Sequence, residues 1–100
     1  MHKIKNIAEE EISIWGNLWT IRVEPIGEGH LTYGYLDPDT MEMVLDDTLT
    51  DEEAMSEIFR LAMVAFRLEI KAPGWDVIPA ESVLNSICRQ VNEIGGDIFG

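Results

Sequence analysis

The residues with the clearest chemical potential are two histidines, one cysteine and a large set of carboxylates. His2 and His30 belong to no His-x-x-x-His or Cys-x-x-Cys pattern, so their spacing does not predict a zinc site. Cys88 falls on an apolar helical stripe, where a cysteine usually packs as a small hydrophobic residue. No Gly-x-Ser-x-Gly elbow and no phosphate-binding glycine loop is present. The sequence therefore predicts no catalytic residue, no metal and no cofactor, and we expect a protein that is not an enzyme.

Two pairs of carboxylates, Asp37 with Asp39 and Asp46 with Asp47, have a spacing that could hold a hard cation. An EF-hand type of loop would place its third oxygen ligand where Met41 stands. Calcium or magnesium binding is therefore not expected. A hydrolase that uses carboxylates in a cleft remains an alternative, because such chemistry depends on burial that the sequence does not give.

The distribution of charge is the most informative feature. The net charge is -12, and no Lys or Arg occurs between Arg22 and Arg60, while eleven Asp and Glu do. One interpretation is a solvated surface with an acid-capped helix. The other is an acidic patch that imitates the phosphates of a nucleic acid and occupies a basic groove on a partner. The first is the more common origin of a run of acids. Solvated faces usually interleave both signs of charge, so the one-sidedness is the observation that supports the second. Direct binding to nucleic acid or to an anionic membrane is not expected.

The predicted partner-binding surface combines this acidic stretch with aromatic side chains on the sheet face away from the first helix, where they would act as contact anchors. The predicted residues are Asp37, Asp39, Glu42, Asp46, Asp47, Glu52, Glu53, Glu57, Trp15, Tyr33 and Tyr35.

The elements that must position these residues are two hairpins. Gly16-Asn17 is predicted to be a type II′ turn, with Ile12 opposite Ile21. After a flexible loop at 26–29, strands 31–36 and 40–45 flank a type I turn that starts at Asp37-Pro38. In the predicted register, Gly34, Leu36, Met41, Met43 and Leu45 share one face, and Tyr33, Tyr35, Glu42 and Val44 share the other.

Two helices follow. Thr50 and Glu53 form a capping box, which predicts a helix that runs to Ile70 and stops before Pro73-Gly74. Its apolar residues lie on two sides, so we expect it to be sandwiched between the sheet and the next helix. That helix is predicted to begin at Pro79 and to stop at Gly95.

The pattern predicts an α+β fold: a small antiparallel sheet of two hairpins packed on a long central helix, with a second C-terminal helix outside. We expect a single domain over 1–100, with mobile ends at 1–10 and 95–100. The predicted core consists of Ile12, Ile14, Trp19, Ile21, Val23, Ile58, Leu61, Ala62, Ala65 and Leu68.

The order of elements around Leu49-Thr50-Asp51-Glu52-Glu53 and the segment 78–87 resembles the ImmA/IrrE-type zincin-like domains of phages and mobile elements. Those peptidases carry His-Glu-x-x-His in the long helix, where this chain has Ile58-Phe59-Arg60-Leu61-Ala62-Met63-Val64. The resemblance therefore implies a peptidase-like scaffold without the metal chemistry, and an origin in a mobile element.

We expect an acidic inhibitor of a basic nucleic-acid-handling protein, of the anti-CRISPR or anti-restriction type. A homodimeric structural protein on a degenerate zincin-like scaffold is the alternative. The single cysteine fits a reducing compartment and predicts the cytoplasm, or the host cytoplasm for a phage protein. No signal peptide and no membrane-spanning segment is expected.

Overall fold

The computed structural model describes residues 7–26, 33–70 and 80–99. The elements are β1 (Glu11–Ile14), β2 (Asn17–Glu24), β3 (Gly34–Asp37), β4 (Glu42–Asp46), α1 (Asp51–Ile70) and α2 (Glu81–Phe99). The predicted α+β class is confirmed. His2, His30, most of the predicted loop at 26–29, the stop at Pro73-Gly74 and the start at Pro79 lie outside the described residues.

The two hairpins lie side by side in one four-stranded sheet with the order β1-β2-β4-β3. The strands of each hairpin are antiparallel. The prediction of a purely antiparallel sheet is wrong, because β2 and β4 pair in parallel. Turn chemistry decides the pairing within a hairpin but not which strands of two hairpins meet. The parallel register places Ile21 beside Met43 and Val23 beside Leu45, so both hairpins contribute to one apolar face.

The turn of the first hairpin is Trp15-Gly16, so the prediction of Gly16-Asn17 is wrong by one residue. The φ angles of Trp15 and Gly16 are 52° and 85°, and two successive positive values define a type I′ turn, whose twist suits a hairpin. A positive φ is costly for a bulky side chain. A contact with α1 offsets part of that cost, because the Trp15 ring packs edge-on against Phe66 with centroids 5.6 Å apart.

The shifted turn moves the pairing of β1 with β2 by two residues. Ile12 therefore lies opposite Trp19 and not opposite Ile21 as predicted. Because a shift of two residues preserves the side of the sheet on which each side chain lies, the predicted faces are confirmed. The buried face of this hairpin holds Ile12, Ile14, Trp19 and Ile21, with Val23 partly buried.

The second hairpin has the predicted faces within its strands, but β4 begins at Glu42, so the prediction that Met41 belongs to this strand is wrong. Met41 lies in the loop with a φ of 56°, and the longer loop places Leu36 opposite Met43. Gly34 pairs with Leu45 and Leu36 with Met43 on the core side, whereas Tyr35 pairs with Val44 on the other side. The four residues between the strands, 38–41, follow Asp37, whose Oδ1 accepts a hydrogen bond from the backbone N–H of Asp39 at 3.1 Å. This local bond is the Asx turn that an aspartate before a proline favours.

The predicted capping box starts α1. The Oγ1 atom of Thr50 accepts a hydrogen bond from the N–H of Glu53 at 3.2 Å, and Glu53 Oε1 accepts one from the N–H of Thr50 at 2.9 Å. The two residues thus satisfy backbone donors that a helix start leaves open. The helix then runs through Ile70 as predicted.

The second helix, α2, differs from its prediction in where it ends and in which elements it packs against. It continues through Gly95 to Phe99, since Ile94 and Gly95 are buried and their packing outweighs the weak helix propensity of glycine. α2 packs on α1 as expected, but it also contacts β1, so it is not confined to a layer outside α1. Neither described helix has an apolar stretch that could cross a membrane.

The core lies between the sheet and the two helices. The predicted core is confirmed apart from Leu68, which is 50% exposed, and Val23, which is only partly buried. Helical spacing predicts which residues share a face of α1, but it does not show which of them another element covers. The core also includes residues that were not predicted, namely Ile7, Met43, Leu45, Leu49, Ala54, Phe66, Ile87, Val91 and Ile94.

Gly34 allows β3 to approach α1 closely. A Cβ atom on Gly34 would lie 2.9 Å from the backbone oxygen of Val44 and 3.0 Å from Cγ of Glu57. We expect Gly34→Ala to lower the free energy of unfolding in urea by about 1–3 kcal/mol, as overpacked sites do. The control is Gly96→Ala, where a Cβ meets nothing within 4 Å, and where a helix should gain roughly 0.5–1 kcal/mol. Equal stabilities of the two variants would contradict the close approach.

The capping box gives a second prediction. Thr50→Ala removes the side-chain acceptor for the N–H of Glu53, so the free energy of unfolding should fall by about 1 kcal/mol. Thr50→Ser keeps an oxygen in the same place and should retain most of the stability. Chemical denaturation followed by circular dichroism measures both. A serine variant as unstable as the alanine variant would argue against the role of the hydroxyl oxygen.

Candidate binding cleft and acidic surfaces

A cleft of about 470 Å³ lies between the start of β3 and the first half of α1. The helix contributes side chains that recur at intervals of about four residues and so share one face. Tyr33 enters from the residue before β3, and Leu49 from the turn before α1. The lining residues are Tyr33, Leu49, Glu52, Glu53, Ser56, Glu57 and Arg60. Four of the predicted site residues, Tyr33, Glu52, Glu53 and Glu57, therefore meet at this cleft.

Arg60, which lines the cleft from α1, also contacts strand β3 of the sheet. Its Nη2 donates a hydrogen bond to the backbone oxygen of Gly34 at 3.2 Å, and its Nε donates to Glu57 Oε1. The side chain of Glu57 is only 11% exposed. A buried carboxylate is costly unless a charge compensates it, and Arg60 provides that charge. Glu57 thus acts mainly in positioning Arg60 and in joining α1 to β3.

The mouth of the cleft carries the groups that are open to a ligand. Tyr33 is 59% exposed, and Glu52 is exposed as well. An aromatic ring next to carboxylates suits a cationic group, since the ring face attracts a cation and the carboxylate accepts charge-assisted hydrogen bonds. The cleft is therefore chemically suited to the side chain of a lysine or an arginine.

A second charged group lies on the sheet face away from the helices. Arg22 donates from Nη2 to Glu24 at 3.2 Å and from Nη1 to Glu42 at 3.1 Å. Partial burial acts to lower the pKa of Arg22, but the carboxylates of Glu24 and Glu42 more than offset it, so the pKa lies above its usual value. Tyr35 stands on the same face, with its hydroxyl 3.5 Å from Glu24.

The remaining predicted acids lie in turns. Asp37 and Asp39 form the tip of the β3–β4 hairpin, and Asp46 and Asp47 lie at the junction of β4 with α1. The Oδ1 atom of Asp46 accepts a hydrogen bond from the N–H of Thr48 at 3.3 Å, so this carboxylate helps to form its own turn. Asp46 lies next to the cleft, since its N–H donates a hydrogen bond to the Tyr33 oxygen at 2.9 Å, whereas Asp37 and Asp39 lie at the opposite end of β3 from Tyr33. None of the four acids lines the cleft walls or takes part in the Arg22 bridge.

Trp15 does not share a surface with the two tyrosines. It stands in the turn next to β1, whereas Tyr35 lies on β3, and these strands form opposite edges of the sheet. Three strand spacings separate the edges by about 14 Å. The Trp15 ring packs on Phe66 of α1 while remaining 56% exposed. The structure thus brings together Tyr33 with the helix acids and Tyr35 with Glu42, and leaves Trp15 apart.

Several residues of these surfaces were not among the predicted site residues. Leu49, Ser56 and Arg60 line the cleft, and Arg22 and Glu24 complete the bridge on the sheet face. The spacing of Glu52, Ser56 and Arg60 at i, i+4 and i+8 could have indicated a shared helix face. Arg22 and Glu24, two residues apart on β2, could have been expected on one face, but the contact of Arg22 with Glu42 could not, because it depends on the parallel pairing of β2 with β4.

Metal coordination has no basis in the part of the chain that the structure describes, where no three His, Cys, Asp or Glu side chains converge on a possible ion. In comparisons with known proteins, no family model, no curated protein and no solved structure matches this chain significantly. The resemblance to zincin-like domains therefore stays a hypothesis.

The bridge formed by Arg22 predicts a salt-dependent stability. Arg22→Met leaves Glu24 and Glu42 on one face without their shared cation, so like charges repel. We expect a lower melting temperature at low salt, and a smaller loss at about 1 M salt, where charges are screened within a few ångströms. Arg89→Met is the control, because it removes the same charge from an exposed position on α2. Equal losses for both variants, unchanged by salt, would contradict the role of the bridge.

Proposed function

We propose that this protein is a non-enzymatic acidic binding protein that inhibits a basic, nucleic-acid-handling protein by occupying its nucleic-acid groove. The observation that carries the proposal is the cleft at the start of α1, where an exposed aromatic ring stands beside carboxylates. A basic groove presents lysine and arginine side chains in the spacing that phosphates require, and the cleft and its acidic borders offer such side chains both charge and contact area.

The contacts of the two arginines that lie at the acidic surfaces support the proposal. Arg22 is engaged by Glu24 and Glu42, and Arg60 by Glu57 and a backbone oxygen. These cations organise the acidic surfaces and offer little positive charge to a ligand. With a net charge of -12, the field around the protein attracts a basic partner and accelerates the encounter.

The separate groups of acids would have different roles. The hairpin tip with Asp37 and Asp39 and the junction at Asp47 contribute to long-range attraction, which acts on the association rate and is weakened by salt. Tyr33 and Glu52 in the cleft contribute to the bound state, because aromatic side chains that a partner covers are a usual source of binding energy at an interface. Trp15, apart from both, has no part in this binding mode.

The test uses acids whose side chains make none of the turn, cap or bridge contacts described above. The triple variant Asp39→Asn, Asp47→Asn and Glu52→Gln should bind the partner about tenfold more weakly, a loss of roughly 1.4 kcal/mol. The control variant Glu11→Gln, Glu81→Gln and Glu93→Gln changes the net charge equally at exposed positions elsewhere. Its affinity should change much less. Tyr33→Ala should mainly increase the dissociation rate.

The partner is identified by capture on the immobilised protein from the lysate of the source cell, with competing duplex DNA in a parallel sample. Affinity is then measured with the purified partner at about 0.05 M and about 0.5 M salt. We expect DNA to displace the partner and salt to weaken the complex. Equal losses for the two triple variants, or a partner that DNA does not displace, would contradict the proposed function.

A further inference from the structure

The outer edge of β1 exposes the backbone groups of alternate residues, Glu11 and Ser13, and Ser13 is the one that a side chain from α2 reaches. β1 is an outer strand of the sheet, and its pairs with β2 alternate between hydrogen-bonded and non-bonded ones. Ile14 and Asn17 close the two-residue turn and form a bonded pair, so Ser13, opposite Leu18, belongs to a non-bonded pair. The N–H and C=O of Ser13 therefore point away from β2, as the backbone of an unpaired edge does.

A side chain from α2 occupies this position. Gln90 Oε1 accepts a hydrogen bond from the N–H of Ser13 at 2.7 Å, and Gln90 Nε2 donates one to the Ser13 oxygen at 2.8 Å. The primary amide thus presents the same donor and acceptor that a neighbouring strand would present. Nε2 also lies 3.3 Å from the Ser86 backbone oxygen, one helical turn away, which orients the amide.

The opposite edge of the sheet has a comparable arrangement. The bond from the Asp46 N–H to the Tyr33 oxygen makes that pair a bonded one, so Gly34, the next residue, directs its groups outward. Arg60 of α1 donates to the outward oxygen of Gly34 at 3.2 Å. A helix side chain therefore engages the backbone of each outer strand, but only Gln90 engages a donor and an acceptor together.

We propose that Gln90 is a protective cap that keeps the β1 edge from pairing with β1 of a second copy of this chain. The strand is self-complementary about Ser13. In an antiparallel pair of two copies, the two Ser13 residues would exchange both backbone hydrogen bonds, and Ile12 of each copy would lie opposite Ile14 of the other. Such a contact is symmetric and closes at two chains. An open edge of this kind is a recognised template for association.

The β1–β1 pairing and the proposed binding to a basic partner should respond to salt in opposite ways. Two chains that each carry a net charge of -12 repel one another, so screening by salt should strengthen the β1–β1 pairing. Binding to a basic partner should weaken under the same change. The cap does not depend on the identity of any partner, and its failure would leave the proposed binding mode untouched.

The first experiment measures the oligomeric state of Gln90→Ala by sedimentation velocity over a range of protein concentrations, at low and high salt. We expect the wild type to be a monomer and the variant to dimerise at least about tenfold more tightly, with more dimer at high salt. Gln90→Met keeps the length of the side chain without its amide and should behave like the alanine variant. Asn92→Ala, which removes an exposed amide from the same helix, should remain monomeric.

A second substitution shows whether the dimer uses the predicted edge. Ser13→Pro removes the outward N–H but no bond to β2, and proline is tolerated at edge positions of this kind. Combined with Gln90→Ala, it should abolish the dimer. A dimer that persists in the double variant, or a Gln90→Ala protein that stays monomeric under all conditions, would overturn the proposal.

Hydrogen exchange of the wild type provides a test that does not depend on the folding of any variant. The Ser13 amide should exchange as slowly as the hydrogen-bonded amides of β1 and β2, because its N–H donates a hydrogen bond to Gln90 Oε1. Exchange as fast as that of an unpaired edge amide would show that Gln90 does not hold this hydrogen bond in solution, and it would overturn the proposal.

Discussion

The parallel pairing of β2 with β4 is the constraint on which the rest of the structure depends. It joins two hairpins that are each local in sequence, and it makes β1 and β3 the outer strands. With β3 at an edge, Gly34 can approach α1, and Arg60 can reach its backbone oxygen. The cleft lies between the residue that precedes this strand, Tyr33, and the first half of α1. The same pairing aligns Arg22 of β2 with Glu42 of β4 across the sheet face.

The acidic stretch serves the fold as well as the surface. Thr50 and Glu53 cap α1, Asp37 and Asp46 shape turns, and Glu57 positions Arg60. Local roles of this kind account for part of the one-sided charge, as an acid-capped helix and solvated turns would. They do not require the absence of lysine and arginine over the same stretch. The remaining excess of negative charge is the feature for which we propose a basic partner.

Local signals made most of the elements predictable from the sequence. The capping box at Thr50 placed the start of α1 to the residue, and alternation placed Ile12 and Trp19 on the buried face. The turn at Trp15-Gly16 was not predicted because a tryptophan rarely adopts the positive φ that the first position of a type I′ turn requires, and here it does so in contact with Phe66. The glycine at 95 is a normal helix stop that packing overrode.

The sequence predicted that the site is acidic, but it did not predict which residues meet there, because a cleft forms through tertiary contacts. Tyr33 and Glu52 are far apart in sequence, and nothing local indicates that one cleft unites them. Trp15 was grouped with the tyrosines through strand alternation, which stops at the end of a strand and does not describe a turn. The edge cap by Gln90 depends on a contact between residues 77 positions apart, which no pattern in a single sequence encodes.

The central claim is that this protein acts by presenting the negative face around the start of α1 to a basic protein. Hydrogen exchange of the protein with and without its bound partner measures that most directly. The account predicts slower exchange in the segments 33–44 and 46–57, with β1 and α2 unchanged. Slower exchange confined to α2 or to β1, with the start of α1 unaffected, would contradict it.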